Sequence, residues 1–201
     1  MDSVWEQGGI VLIHLSMGVG LAACAGLRAF LPLFVVSVAG KLELVPLSES
    51  FGWVAGWPAL IVFGAAVLVE VLSDKFPVVD HLLDSVQIFV KPIAGAFVAV
   101  TVVEEWAPLY VTAVAIVGGG SAAGLVHVAK AKLRLVSSVT TAGLGNPVLS
   151  VTEDVGALAG SVASIVLPQL VILFLLVAAV LAWFFLRKTR AARGRTDQSL
   201  P

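Results

Sequence analysis

Apolar residues run along this chain in blocks of about twenty, cut by short clusters of charge, proline and glycine. A helix that crosses a bilayer needs about 20 mostly apolar residues. Segment 9–40 exceeds that length and is interrupted by Arg28 and Pro32. It predicts a first span ending near 26–30 and a bent continuation over 31–40, either re-entrant or the tilted end of one long helix. Residues 53–72 read as a second span, with Trp53 and Trp57 as interfacial anchors. Pro77 stops the connection that follows, and Asp80 is placed to N-cap a third helix over 81–103, kinked at Pro92. A fourth span covers 109–129 and ends in the basic run Lys130, Lys132, Arg134. A weak fifth over 147–166 carries Glu153 and Asp154, and a strong sixth covers 168–186. Residues 137–147 are too polar and turn-rich to span. The expected fold is an all-α polytopic membrane helix bundle of about six spans. It comprises an N-terminal segment 1–8, a single transmembrane domain 9–186 and a basic, disordered tail 187–201.

Composition agrees with that pattern. Of 201 residues, 59% are hydrophobic and 12% charged, and mean hydropathy is +1.05. A soluble domain carries about 25% charged residues, so half that share points to a chain solvated mostly by lipid. The single cysteine, Cys24, excludes an intramolecular disulfide. The acidic start (Asp2, Glu6) is unlike the basic beginning of a signal peptide, so the first apolar segment is expected to be retained. Lys130, Lys132, Arg134 and the basic tail should face the cytoplasm, which with six spans puts both termini on the cytoplasmic side of the inner membrane. Lys41 is the one dissenting cation.

Small residues recur every four positions: Gly18, Ala22 and Gly26; Gly120 and Gly124; Gly156 and Gly160. Such rows let helix backbones approach closely in lipid. Against this background the charged residues stand out, because an ionised side chain at mid-bilayer costs roughly 2.5–3.5 kcal/mol. Lys91 lies about 15 Å along the third helix and Glu153 and Asp154 about 9–10 Å into the fifth, so Lys91 is expected to pair with one of these acids. The other acid would take Arg28, Lys75 or His127.

The stretch 70–92 concentrates the remaining chemistry. Glu70 and Asp74 share a helix face, and Asp80 and Asp84 repeat the spacing. With His81, Asp80 and Asp84 are the candidates for a divalent cation, the one cofactor these residues suggest, because hard cations want several oxygens. A solvated, capped loop is the simpler reading. No His-Glu-x-x-His, Gly-x-Ser-x-Gly or phosphate-cradling loop is present. The basic tail lacks the interleaved aromatics of a nucleic-acid surface.

Several blocks resemble an uncharacterised bacterial multi-pass membrane family, domain of unknown function 4126. They are Gly26-Leu-Arg-Ala-Phe-Leu-Pro32, Glu70 with Asp74-Lys-Phe-Pro-Val-Val-Asp-His81 and Asp84, and Lys91-Pro92. The Lys130-to-Arg134 run, Gly143-Leu-Gly-Asn-Pro147 and Glu153-Asp154 complete the set. The resemblance covers roughly 9–186 and implies a small multi-pass protein without specifying an activity. Arg in place of Lys91 in that family implies charge pairing rather than Schiff-base chemistry.

Three expectations follow. The first is a transporter or channel-like protein for a small solute or ion, using Arg28, Glu70, Asp74, Lys75, Lys91, Asn146, Glu153 and Asp154. The second is a structural or accessory protein whose charges only hold the bundle. The third is a metal-dependent enzyme acting on lipid head groups through Asp80, His81 and Asp84. The expected partners are the lipid bilayer, a small solute or ion and further copies of the chain, with no nucleic acid.

Overall fold

The computed structural model describes residues 2–74, 77–103 and 109–197. Among them the chain is all helix and turn. The α-helices are α1 (Asp2–Leu27), α2 (Leu31–Lys41), α3 (Trp57–Ser73), α4 (Pro77–Thr101), α5 (Leu109–Thr141), α6 (Asn146–Val166) and α7 (Pro168–Asp197), with a 3-10 helix, Glu49–Ala55, before α3. Proline writes many of the starts: Pro32, Pro58 and Pro147 sit in the first two positions of α2, α3 and α6, and Pro77 and Pro168 open α4 and α7. There the missing N–H costs nothing and the fixed φ suits a helix. Pro92 lies inside α4, which stays one helix.

Among the described residues three helices are long and apolar enough to cross a membrane: α1 from Gly8, α5 and α6. The 3-10 helix and α3, bent by 62° at Gly56, make a fourth when taken as one broken span. Helices α2, Ser85–Thr101 and Pro168–Leu181 are apolar but shorter. This is a membrane protein, with fewer full-length spanning helices among the described residues than the six expected spans.

The core is the surface of α1. Leu21, Ala22 and Ala25 are buried against Ala94, Val98 and Ala99 of α4 and Ala115 and Ala123 of α5. The closest approach is glycine on glycine: a Cβ added at Gly95 would lie 2.5 Å from Ala123 Cβ and 2.8 Å from the Gly119 carbonyl. At Gly26 an added Cβ would strike the Ala123 carbonyl, and at Gly18 it would meet that of Ala99 at 2.9 Å. Of the expected rows, Gly18 and Gly26 make tight contacts. On α5, however, the stripe in closest contact is Ala115, Gly119 and Ala123, one position off Gly120 and Gly124. An added Cβ at Gly124 would meet only Pro92 Cγ, at 3.7 Å.

These contacts fix the directions. α4 runs antiparallel to α1, because Gly95 approaches Ala22 and Ala99 approaches Gly18. α5 runs parallel to α1, from Val19 opposite Gly118 to Leu27 opposite Lys130. α6 runs back again, with Gly156 beside Leu27 and Ser164 beside Gly20. α7 lines a groove with Gly20, Ala23 and Leu27 through Val171 and Phe174, so it returns toward Arg28.

The segment 31–40 does not continue α1. Phe34 packs on Gly64, Ser37 Oγ donates to the Val54 carbonyl at 2.6 Å, and Gly40 lies against Leu47 and Ala55. α2 is therefore antiparallel to α3, and the chain doubles back at Arg28–Phe30. The physical reason is that Pro32 forbids an N–H bond to the Arg28 carbonyl, while side chains of neighbouring helices satisfy the backbone groups exposed by a turn. One end of the bundle consequently gathers the ends of α1, α3 and α5 and the starts of α2, α4 and α6. The opposite end holds loop 42–56, where Lys41 lies 4.4 Å over the Trp57 ring.

The α5–α6 connection also differs from expectation. α5 continues through Lys130, Arg134 and the polar stretch to Thr141, ending in a left-handed pair, Ala142 and Gly143 (φ 51° and 84°). α7 runs through the basic segment to Asp197.

Candidate functional site

The turn at Arg28–Phe30 exposes backbone groups that a continuous helix would pair, and in this buried position each must find a partner. Glu70, one turn from the end of α3 and only 1% exposed, supplies acceptors. Its Oε1 accepts from Ala29 N at 2.8 Å and its Oε2 from Phe30 N at 3.3 Å. Gln87 Nε2 of α4 donates to the same Oε1 at 3.1 Å. The carboxylate thus caps the positive end of α2. On the other side of the turn, Lys130 Nζ donates to the Leu27 carbonyl at 3.2 Å.

Arg28 itself is 1% exposed and reaches three acidic residues. Its Nη1 donates to the Glu70 backbone carbonyl at 3.3 Å, its Nη2 donates to Asp74 Oδ2 at 2.6 Å, and its Nε lies 2.5 Å from Asp154 Oδ1. Asp74 Oδ2 is a hub. Besides Arg28 it accepts from Arg134 Nη2 at 3.0 Å and from Ser150 Oγ at 2.5 Å, while Ser150 Oγ accepts from Arg28 Nη2 at 2.9 Å.

Glu153 completes the network. Arg134 grips it with two prongs, Nε to Oε1 at 3.2 Å and Nη2 to Oε2 at 2.9 Å, and Lys130 Nζ lies 2.9 Å from Oε2. A forked guanidinium–carboxylate pair is the strong, directional form of such a bond. Asp74 lies just past the end of α3. Burial works against its charged form, but the bonds from Arg28 and Ser150 and the charges of Arg28 and Arg134 outweigh that and hold its carboxyl below the usual range.

Of the expected residues, Arg28, Glu70, Asp74, Glu153 and Asp154 come together. Lys91 is fully buried one turn deeper on α4, on the face that carries Gln87. The ion pairs of Glu153 come instead from Lys130 and Arg134, and that of Asp154 from Arg28. Lys130 and Arg134 reach the acids because α5 extends past the apolar block and carries them there. Asn146 belongs to the α5–α6 turn, where its Nδ2 donates to Ser138 Oγ at 3.0 Å. Lys75 lies outside the described residues, as do the side chains of Asp80, His81 and Asp84. Among the described residues no three His, Cys, Asp or Glu side chains gather to hold a metal.

Lys130 and Arg134 are the site residues missed by sequence reasoning. A signal was present: Ala115, Gly119, Ala123, His127 and Lys130 form the buried stripe of α5 at spacings of four and three, and Arg134 extends it.

Compared with known families, residues 15–188 match the domain of unknown function (DUF4126). The chain belongs to this family. No curated protein and no solved structure matches it. The match spans every element of the network, from Arg28 in the turn to Asp154 in α6.

Proposed function

We propose that this member of the family is a transporter or channel-like protein for a small solute or ion, and that the network around Arg28 is its gate. The supporting observation is the meeting of Arg28, Lys130 and Arg134 with Asp74, Glu153 and Asp154 at a helix reversal, drawn from four segments of a mostly apolar bundle. Discontinuous helices beside charged groups are characteristic of substrate sites in secondary transporters, and intramembrane charge marks ion or substrate paths. Lys130, Lys132, Arg134 and the basic end of α7 favour the cytoplasm for the network end. In this reading the start of α1 lies on the opposite side, a revision of the expected shared side for both termini, and the membrane is the inner one. A cysteine-accessibility scan of both ends tests that orientation.

A purely structural role has an observation of its own: Glu70 and Lys130 satisfy the backbone of the turn. Ion efflux from liposomes containing the purified protein decides between the two. The transport reading expects flux of protons, potassium or small anions above protein-free vesicles, changed several-fold in a folded Arg134→Gln, Glu153→Gln variant. Identical, background-level flux from the wild type and this variant supports the structural role.

A further inference from the structure

The donors around Asp74 form a cup that does not depend on Asp74 itself. Arg28 comes from the α1–α2 turn, Arg134 from α5 and Ser150 from α6, and all three aim at one oxygen, Oδ2. Arg28 and Ser150 are also bonded to each other, and Arg134 is held by Glu153, so the cup is braced from outside. Asp74, by contrast, enters from the capping position after α3 and reaches the cup with one carboxylate oxygen.

Charge matching defines what the cup takes. Asp74 brings a single negative charge to the three donors, so a ligand that replaces it keeps the balance of the network only if it is a monoanion. Withdrawal of the Asp74 side chain leaves two guanidinium groups and a hydroxyl without their common acceptor in a mostly buried cup. Guanidinium pairs favour planar carboxylate-like oxyanions.

Building on the transport reading, we propose that the Arg28–Arg134–Ser150 cup is a binding site for a small monoanion, carboxylate or inorganic, which exchanges with the side chain of Asp74. Asp74 is then a tethered stand-in for the cargo. Its low protonation tendency keeps it in the charged form that competes best. Opening of the gate and arrival of the anion become one event, because whichever carboxylate is absent must be replaced to avoid two adjacent buried arginines each lacking an acceptor.

The test uses the full-length protein and three probes: formate, nitrate and chloride. In detergent, Asp74→Ala removes the internal competitor, so formate should raise its melting temperature at concentrations at least about tenfold below those needed by the wild type. If Asp74→Ala does not fold, Asp74→Asn keeps an acceptor oxygen while losing the charge, and the same shift is expected. Formate and nitrate should share the site, with chloride weaker because it lacks the planar pair of oxygens that matches a guanidinium fork. In liposomes, formate or nitrate efflux should exceed that of protein-free vesicles. Potassium or proton flux without anion flux would overturn the anion assignment and leave transport standing. Absence of all flux would overturn both. Equal formate sensitivity of the wild type and both Asp74 variants would overturn the exchange.

Discussion

At the level of Gly95 and Gly119, α4 and α5 touch backbone to backbone with no polar side chain between them. About 16–22 Å further along α5, Lys130 and Arg134 reach across a space that is filled with carboxylates. Both regions hold α5 to its neighbours, one by small size and the other by charge. The dry seam tolerates no added volume, whereas the charged end tolerates no lost partner. That contrast follows from the solvent. In lipid, helix association draws on close packing and satisfied polar groups rather than on a hydrophobic drive. The seam uses the first and the turn at Arg28, with its exposed backbone, requires the second.

The largest effect is expected where charge and backbone meet. Glu70→Leu leaves Ala29 N, Phe30 N and Gln87 without their acceptor and Arg28 with one fewer acid nearby. It should cost about 3–5 kcal/mol, read from denaturant unfolding in detergent. Glu70→Gln retains one acceptor oxygen and should lose about half as much. A loss near zero for Glu70→Leu would mean that the turn holds itself and that the two regions do not differ in kind.

A double-mutant cycle on Arg134 and Glu153 sharpens the comparison. Each single change to leucine strands a partly buried charge and should cost about 3 kcal/mol. The pair removed together should recover about 1–2 kcal/mol of the summed losses. Strict additivity would show that the forked geometry carries no coupling.

On the dry side, Gly95→Ala places a methyl carbon against Ala123 and the Gly119 carbonyl and should cost about 1–3 kcal/mol. Gly124→Ala, one face away with Pro92 Cγ at 3.7 Å, should stay within about 0.5 kcal/mol. The reverse ranking would place the helix contact on the row that spacing alone suggests.

That pair shows what the sequence could and could not disclose. Gly120 and Gly124 look like an interface row, yet the row in closest contact is offset by one residue, and spacing does not report rotation about the helix axis. Arg28, Glu70, Asp74, Glu153 and Asp154 were legible because charge inside an apolar block demands a partner. Lys130 and Arg134 were not, because a cation after a span already has an explanation as a cytoplasmic anchor. Pro32 announced a break, but whether the chain bends onward or reverses depends on what receives the freed N–H groups. Glu70 lies 40 residues from Phe30, and no local pattern connects the two.

The smallest effect concerns acid. Asp74 is held below its unfolded-state value of about 3.9 by Arg28, Ser150 and Arg134 against the opposing effect of burial. Its contribution is therefore fully present above that value and is lost as pH falls through the lower folded-state value. Between about pH 7 and pH 5 it adds no slope. Melting temperatures of the wild type and Asp74→Asn should run parallel across that range, with the wild type higher. Below about pH 4 the gap should narrow, because the unfolded wild-type chain then binds a proton at Asp74 that the folded state still excludes. The atoms nearest a Cβ added at Gly95 belong to Ala123, Gly119 and Ala22, so Gly95→Ala should keep a constant offset over the same range. If the Asp74→Asn gap also stays constant down to about pH 2, geometry rather than charge would be what Asp74 contributes, and the two regions would be held by packing alike.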